Sequence, residues 1–333
     1  MRRWQLWLGI VISLVFLALA LRGLRLQEVL QAVRDAEYLW LIPGIAAYFV
    51  GVYARAWRWH YLLRPIRPLS TRRLFPIVTI GYLGNNIFPV RAGEILRLYV
   101  LKRDENVGMA SSLATILVER AFDGIVMLGF VFLNLPRLAG DQVGPGVRGL
   151  AIGGAILFLG ATAAFVVLAI FPTFAARLAD FGIERVLPWR FRERAHALFG
   201  QFLIGLAALR SPLDVLMVLA TSIVIWLLET LKYWFVMHAF PFQVDFFTLM
   251  LMNGVVNLAT TLPSAPGYVG TFDAPGIAVL EATGVNPEVA AAYTFVLHAA
   301  LWLPVTLLGA YYMLREGLSW RSAQQAAQQE RLA

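Results

Sequence analysis

Three groups of ionisable residues stand inside stretches that are otherwise apolar, and chemistry is most readily placed there. Arg91, Glu94 and Arg97 follow Asn85 and Asn86 around a Pro89–Gly93 break. A helix beginning after such a break presents partly positive backbone N–H groups. With Arg91 beside it, the break reads as a phosphate or carboxylate site; alternatively, Arg91 and Glu94, three apart, neutralise one another. Glu119, Arg120 and Asp123 form the second group. Glu119 and Asp123 share one helix face and need a cation between them, from Arg91, Arg97 or Arg120. The third is the i,i+3 pair Glu229 and Lys232. Asp273 and His298 stand further on, and His298 reads as a helix–helix hydrogen bond or a proton relay.

Hydrophobic residues make up 59% of the 333 positions and charged residues 14%, which excludes an ordinary soluble surface. The solvent for most of the chain must be lipid. A charge at mid-membrane costs about 2.5–3.5 kcal/mol on insertion scales, so each group above needs a partner or a wet cavity. With Cys 0 and four scattered His, no metal site is expected. A Gly-x-Ser-x-Gly elbow, His-Glu-x-x-His, a P-loop and an aspartate-rich diphosphate motif are all missing, so no catalytic residue and no cofactor is assigned. The net charge of +8 is carried by Arg between apolar runs, with Lys only at Lys102 and Lys232. That pattern fits an anionic membrane face rather than nucleic acid.

About 20 apolar residues cross the hydrocarbon as a helix. Six stretches qualify: Trp4–Leu21, Tyr38–Ala54, Gly108–Leu135, Val147–Phe171, Leu213–Phe240 and Val289–Leu314. The first could be a cleaved leader, given Arg2, Arg3 and Ala18-Leu19-Ala20. Trp4 and Trp7, and the count of spans, favour a retained helix. Pro and Gly interrupt two further stretches, 74–101 and 246–282. Arg55, Arg58, Arg64, Arg67, Arg72 and Arg73 precede the first, and Arg97, Lys102 and Arg103 follow its break. Both sides prefer the cytoplasm, so 74–101 is expected to enter and return as a re-entrant hairpin. The same reasoning makes 246–282 re-enter from the opposite face, with both termini cytoplasmic.

The expected fold is therefore an all-α polytopic membrane protein: about six spans plus two oppositely oriented re-entrant hairpins in an inverted-topology repeat. Residues 1–333 form one membrane domain, with a first repeat at 1–140, a second at 141–315 and a cytoplasmic tail at 316–333. Each half reads span, span, hairpin, span. Pro-x-x-x-Gly after an upstream Asn recurs at the two breaks, Pro89–Gly93 and Pro263–Gly267. Asn257, Thr260, Thr261 and Ser264 supply polar atoms before the second. The 173–212 connector, with Arg177, Arg185, Arg190, Arg192 and Arg194 among apolar residues, reads as basic helices on the cytoplasmic leaflet.

Asn85-Asn86-Ile87-Phe88-Pro89-Val90-Arg91-Ala92-Gly93-Glu94, Glu119-Arg120-Ala121-Phe122-Asp123 and Leu262-Pro263-Ser264-Ala265-Pro266-Gly267 resemble the lysylphosphatidylglycerol synthase transmembrane-region, or flippase-like, family. The resemblance covers nearly the whole chain, and Asn-x-x-Pro-x-Arg-x-Gly-Glu is its most specific part. It implies an inner-membrane protein that moves lipids between leaflets: anionic or aminoacylated phospholipids, polyprenyl-linked sugars or hopanoid-type lipids. Members that make lysyl-lipid carry a soluble catalytic domain after the membrane region; that activity is not expected here.

The resulting expectation is a lipid translocase that hydrolyses no nucleotide. Arg91, Asn85, Asn86, Gly93, Arg97, Asn257, Ser264 and Gly267 would bind the headgroup. Glu94, Glu119, Arg120, Asp123, Glu229, Lys232, Asp273 and His298 would form a charge network or couple transport to an ion. An excess of carboxylates among them suggests room for a proton. The alternatives are an intramembrane enzyme on a lipid-linked substrate and a membrane subunit assisting a lipid-modifying enzyme; a homo-oligomer is also open.

Overall fold

The computed structural model describes residues 3–88, 92–138, 156, 159–160, 162–262 and 264–318. Among these, every regular element is helical. The helices are α1 (Arg3–Leu21), α2 (Leu26–Arg34), α3 (Leu41–Leu63), α4 (Thr71–Ile87), α5 (Ala92–Glu105), α6 (Met109–Leu138) and α7 (Thr162–Ile170). They continue with α8 (Pro172–Val186), α9 (Trp189–Gly205), α10 (Pro212–Met237), α11 (Phe246–Ala259), α12 (Asp273–Ala282) and α13 (Pro287–Arg315). Short 3₁₀ turns precede α3 and α10, and another, Pro266–Tyr268, lies between α11 and α12.

Tyr38–Leu63, Pro212–Met237 and Pro287–Arg315 are each long and apolar enough to cross a bilayer. Two bent pairs add candidates: α1 turns by 86° into α2, and α7 by 107° into α8. Helix starts follow local chemistry. The Ser211 hydroxyl accepts from the Asp214 N–H, and Pro212 fills the first helical position, where no N–H is needed. Asn286 and Pro287 repeat the device at α13, and Asp245 caps α11 through the Thr248 N–H.

The molecule is inside-out relative to a soluble protein. Leu14, Leu39, Ile42, Leu216, Leu303 and Leu307 are exposed, whereas Arg58, Glu119, Asp123, Lys232, Asn253 and Thr230 are buried. Only an apolar solvent makes that distribution favourable. This is an all-α polytopic membrane fold.

Two helical hairpins enter from opposite ends of the bundle. In the first, α4 packs on α5, and Arg73 at its start lies 3.0 Å from Glu105 at its end. The chain thus returns to the end it left, where Arg64 also pairs with Asp214 at the start of α10. In the second, α11 packs on α12. It begins just after α10 finishes and hands over to α13 at Pro287, beside the Arg25–Glu288 pair at the other end. Each hairpin lies against the last long helix of the opposite half: α4 on α13, and α11 on α6.

The breaks have local causes. Phe88 precedes Pro89 and is extended (φ −98°, ψ 143°), as is Ala265 before Pro266 (φ −61°, ψ 159°). Proline's ring disfavours the helical conformation in the residue before it. Gly93 allows α4 and α5 to touch: a Cβ there would run into the Gly81 carbonyl oxygen. Small residues let helix backbones approach this closely.

Three expectations change. The second span does not stop at Ala54; α3 runs to Leu63, so Arg55 and Arg58 are helix residues rather than loop cations. The third span is longer, 30 residues rather than Gly108–Leu135. The fourth, Val147–Phe171, lies mostly outside the described residues, where only α7 stands for it. The 173–212 connector is α8 and α9. It packs on the start of α6, where the Ser111 hydroxyl donates to the Gln201 carbonyl (2.8 Å).

Candidate functional site

The two hairpin tips meet beside α13. The Asn86 side chain donates to the Thr306 hydroxyl (2.7 Å), and the Trp302 indole N–H points at the Asn86 carbonyl (3.4 Å). Against the same indole sits Gly267, whose φ of +76° belongs to the left-handed region; a Cβ there would lie 2.9 Å from the Trp302 Nε1. Glycine at this position therefore serves both backbone and packing. His298, one turn before Trp302, reaches the Gly267 carbonyl with Nε2 (2.7 Å) and Asp273 Oδ1 with Nδ1 (2.8 Å).

Below the tips lies a cavity of about 190 Å³, between α3, α4, α5, α6, α10 and α13. That is room for several waters. Its walls carry Arg55, Arg58, Arg97, Arg120 and Lys232 against Glu94, Glu119 and Glu229, with Tyr48, Tyr82, Trp226, Tyr268 and Trp302 between.

The charges are organised as pairs that bridge helices. Arg58 grips Asp123 with both terminal nitrogens (2.5 and 3.2 Å), and the Trp226 indole donates to the same carboxylate (2.9 Å). Arg97 reaches both oxygens of Glu119 (3.0 and 3.4 Å), and its guanidinium lies 4.0 Å above the Trp59 ring. Glu229 holds Lys232 on its own helix and Arg55 of α3 at 2.9 Å. Arg120 sits within 3.8 Å of Glu94 and 3.6 Å of Asp123. Buried pairs of this kind hold only when further hydrogen bonds serve the remaining polar atoms.

Among the described residues, the buried Nε–H groups of Arg55, Arg58, Arg97 and Arg120 and the Glu105 Oε2 make no hydrogen bond, and the Arg120 Nε faces Glu94 at 3.8 Å. All four arginines belong to the wall of the cavity. The lining holds five cations against three carboxylates, and with Asp123 and Asp273 behind the wall the count is five to five. Arg55, Arg58 and Arg97 thereby offset the excess of carboxylate expected from the sequence.

Of the expected headgroup residues, Asn85, Asn86, Arg97, Asn257 and Gly267 line the cavity, and Gly93 and Ser264 do not. Gly93 is a packing glycine, its N–H held by the Asn85 side-chain oxygen at 2.9 Å. That bond also occupies part of the α5 N-terminus that was to hold an anion. Ser264 turns toward α1, where its carbonyl lies against Gly9 and the next residue's N–H donates to the Ser13 hydroxyl (2.8 Å). Arg91 lies outside the described residues. Glu94, Glu119, Arg120, Glu229, Lys232 and His298 line the cavity; Asp123 and Asp273 stand behind it.

Sequence reasoning missed Arg55 and Arg58. The signal that could have found them is the lack of any Pro or Gly between Gly51 and Pro65. An uninterrupted helix carries both arginines inward, three residues apart on one face. Among the described residues, no group of three or more His, Cys, Asp or Glu could hold a metal ion.

A polytopic helical fold with two opposed hairpins around a charged interior cavity defines an integral membrane protein with a polar site inside it. The profile described as "Lysylphosphatidylglycerol synthase TM region" matches residues 6–309, and the chain belongs to that family. It is 24% identical over 305 residues to a UPF0104 membrane protein of Methanothermobacter thermautotrophicus, covering 86% of this chain and 88% of that one. It is 21% identical over 323 residues to a UPF0104 membrane protein of Methanocaldococcus jannaschii, covering 92% and 93%. It is also 27% identical over 335 residues to the glycosyltransferase AglD of Haloferax volcanii, covering 92% of this chain and 54% of that protein. No solved structure matches.

Proposed function

We propose that the chain is a lipid translocase of the cell membrane, passing an anionic headgroup between leaflets through the cavity between the hairpin tips. The observation that carries this reading is one cavity lined by Arg55, Arg58, Arg97, Arg120 and Lys232. A headgroup leaving water must exchange its hydration for fixed donors. The guanidinium forks suit phosphate geometry, and the lining itself carries more cations than carboxylates. No nucleotide is used on this reading, so the movement is downhill or ion-coupled. The cargo is an anionic phospholipid or a polyprenyl-linked or hopanoid-type lipid. Both hairpins are re-entrant, and the arginine-rich end at Arg64, Arg67 and Arg73 is cytoplasmic, which places both termini inside.

The relative named as a glycosyltransferase motivates a second reading, an intramembrane enzyme on a lipid-linked sugar or a membrane subunit serving such an enzyme. Reconstitution into liposomes separates them. The translocase reading expects purified protein to move a fluorescent anionic phospholipid across the bilayer with its headgroup intact. Consumption of a lipid-linked sugar without transfer would replace that reading with the enzyme. Neither activity would leave the subunit.

A further inference from the structure

The hydrogen inventory at His298 does not close for a neutral imidazole beside an ionised carboxylate. The Gly267 carbonyl can only accept, so Nε2 must carry a hydrogen. Nδ1 faces Asp273 Oδ1 at 2.8 Å, while Asp273 Oδ2 accepts from the Gly270 N–H (2.8 Å). A hydrogen must lie between Nδ1 and Oδ1 as well, or two lone pairs would meet. The pair therefore holds one proton more than neutral histidine plus aspartate, whichever atom carries it. Asp273 is 2% exposed, and the Phe272 ring stacks on the imidazole with centroids 4.4 Å apart.

We propose that His298 and Asp273 are a proton-binding site, and that the bound proton latches the Gly267 tip of the second hairpin to α13. Loss of the proton sets the Nδ1 lone pair against a carboxylate oxygen. The ring must then give up Asp273 or the tip. Gly267 is the part free to leave, because the 3₁₀ turn around it is joined to the helices by non-helical backbone on both sides, whereas Asp273 is fixed in the first turn of α12. The site is distinct from the arginine cluster, and its existence does not depend on what the cavity carries.

The charges around it are few. Besides Asp273, α12 bears only Glu281, at its far end. The described face of α1 against α12 gives Ser13, Phe16 and Leu17, and α11 has no charged residue. From α2, Arg25 pairs with Glu288 at the start of α13. Across the cavity stand Arg55 and Tyr48 of α3, Tyr82 of α4, Glu94 and Arg97 of α5, Glu119 and Arg120 of α6, and Glu229, Lys232 and Tyr233 of α10; the tip itself adds Tyr268. Glu94, Glu119, Glu229 and Glu288 have cationic partners and Glu281 is exposed at the far end of α12, which leaves His298 and Asp273 as the buried pair with a proton to exchange.

The chain has no cysteine, so one introduced near the tip reports on it cleanly. Ser264→Cys in nanodiscs is labelled with a membrane-impermeant maleimide from about pH 5.5 to about pH 8.5. Each rate is divided by that of the same cysteine in denatured protein at the same pH, which removes the thiol's own ionisation. The latch predicts slow labelling at low pH and a rise of about tenfold at high pH, the loss of one buried hydrogen bond. Asp273→Asn should label slowly at every pH: its amide can donate to Nδ1 while its oxygen accepts from Gly270, leaving Nε2–H on the tip. His298→Ala should label fast at every pH. A flat wild-type profile would overturn the proposal, and so would an Asp273→Asn protein that keeps the wild-type pH dependence.

Discussion

The two hairpins are built to the same plan and held by different forces. The first is anchored by charge: Arg97 on Glu119, Glu94 near Arg120, and Arg73 on Glu105 at its base. The second carries no Arg or Lys pair among its described residues; its tip is held by His298 with Asp273, by Trp302 and by two left-handed glycines, Gly267 and Gly270. Interactions between buried charges are costly to break, whereas a pair of hydrogen bonds can be exchanged for one proton. The first hairpin thus reads as the fixed wall of the cavity and the second as its movable part.

The largest effect that could break this comparison is at the wall. Glu119→Ala strands Arg97 as a buried cation, and loss of one partner from a buried pair costs about 3–5 kcal/mol. A large fall in the thermal midpoint of the purified protein is expected. In the second hairpin, Asp273→Ala removes hydrogen bonds without stranding a fixed charge, and the cost should be about 1–3 kcal/mol. If the Asp273 variant proves the more damaging of the two, the assignment of fixed and movable hairpins is inverted.

A smaller effect sharpens the picture at the first tip. Asn85→Ala deletes the acceptor for the Gly93 N–H and should cost about 1 kcal/mol, as the loss of a helix cap does. Hydrogen exchange at the start of α5 should quicken while the second hairpin is unaffected. Smaller still for the bundle is the connector. Arg190 and Arg194 are exposed, and replacing both with Gln should weaken binding to anionic vesicles by about 1 kcal/mol per charge without lowering the thermal midpoint. Arg192 does not belong with them. Its side chain donates to the Leu187 and Glu184 carbonyls and ties α8 to α9, so it is structural rather than a membrane contact.

Much of this was readable in the sequence because lipid penalises charge so heavily. Glu119, Asp123, Glu229 and Lys232 announced an interior network by being present at all, and Pro89–Gly93 and Pro263–Gly267 marked where helices must break. What the sequence hid was direction. A basic residue at the end of an apolar run satisfies the same rule whether it lies in a loop or continues the helix inward. Arg55 and Arg58 were therefore counted with Arg64 and Arg67, and the site came out too negative. Gly93 and Ser264 were misplaced for a related reason: a small or polar residue at a break serves packing as readily as binding, and only the neighbouring helix decides.

The central claim is that the arginine-lined cavity carries the headgroup's negative charge. Arg120 is the variant to use, since its side chain is 40% exposed and Asp123 keeps Arg58 when Arg120 is lost. Transfer of fluorescent phospholipids with anionic, zwitterionic and cationic headgroups is compared in liposomes bearing the wild type or Arg120→Gln. The account predicts that the wild type moves the anionic lipid fastest. It also predicts that Arg120→Gln slows that lipid about tenfold, the loss of one charge-assisted hydrogen bond, with far less effect on the others. Equal rates for all three headgroups in the wild type, or an unchanged anionic rate in a folded Arg120→Gln protein, would contradict it.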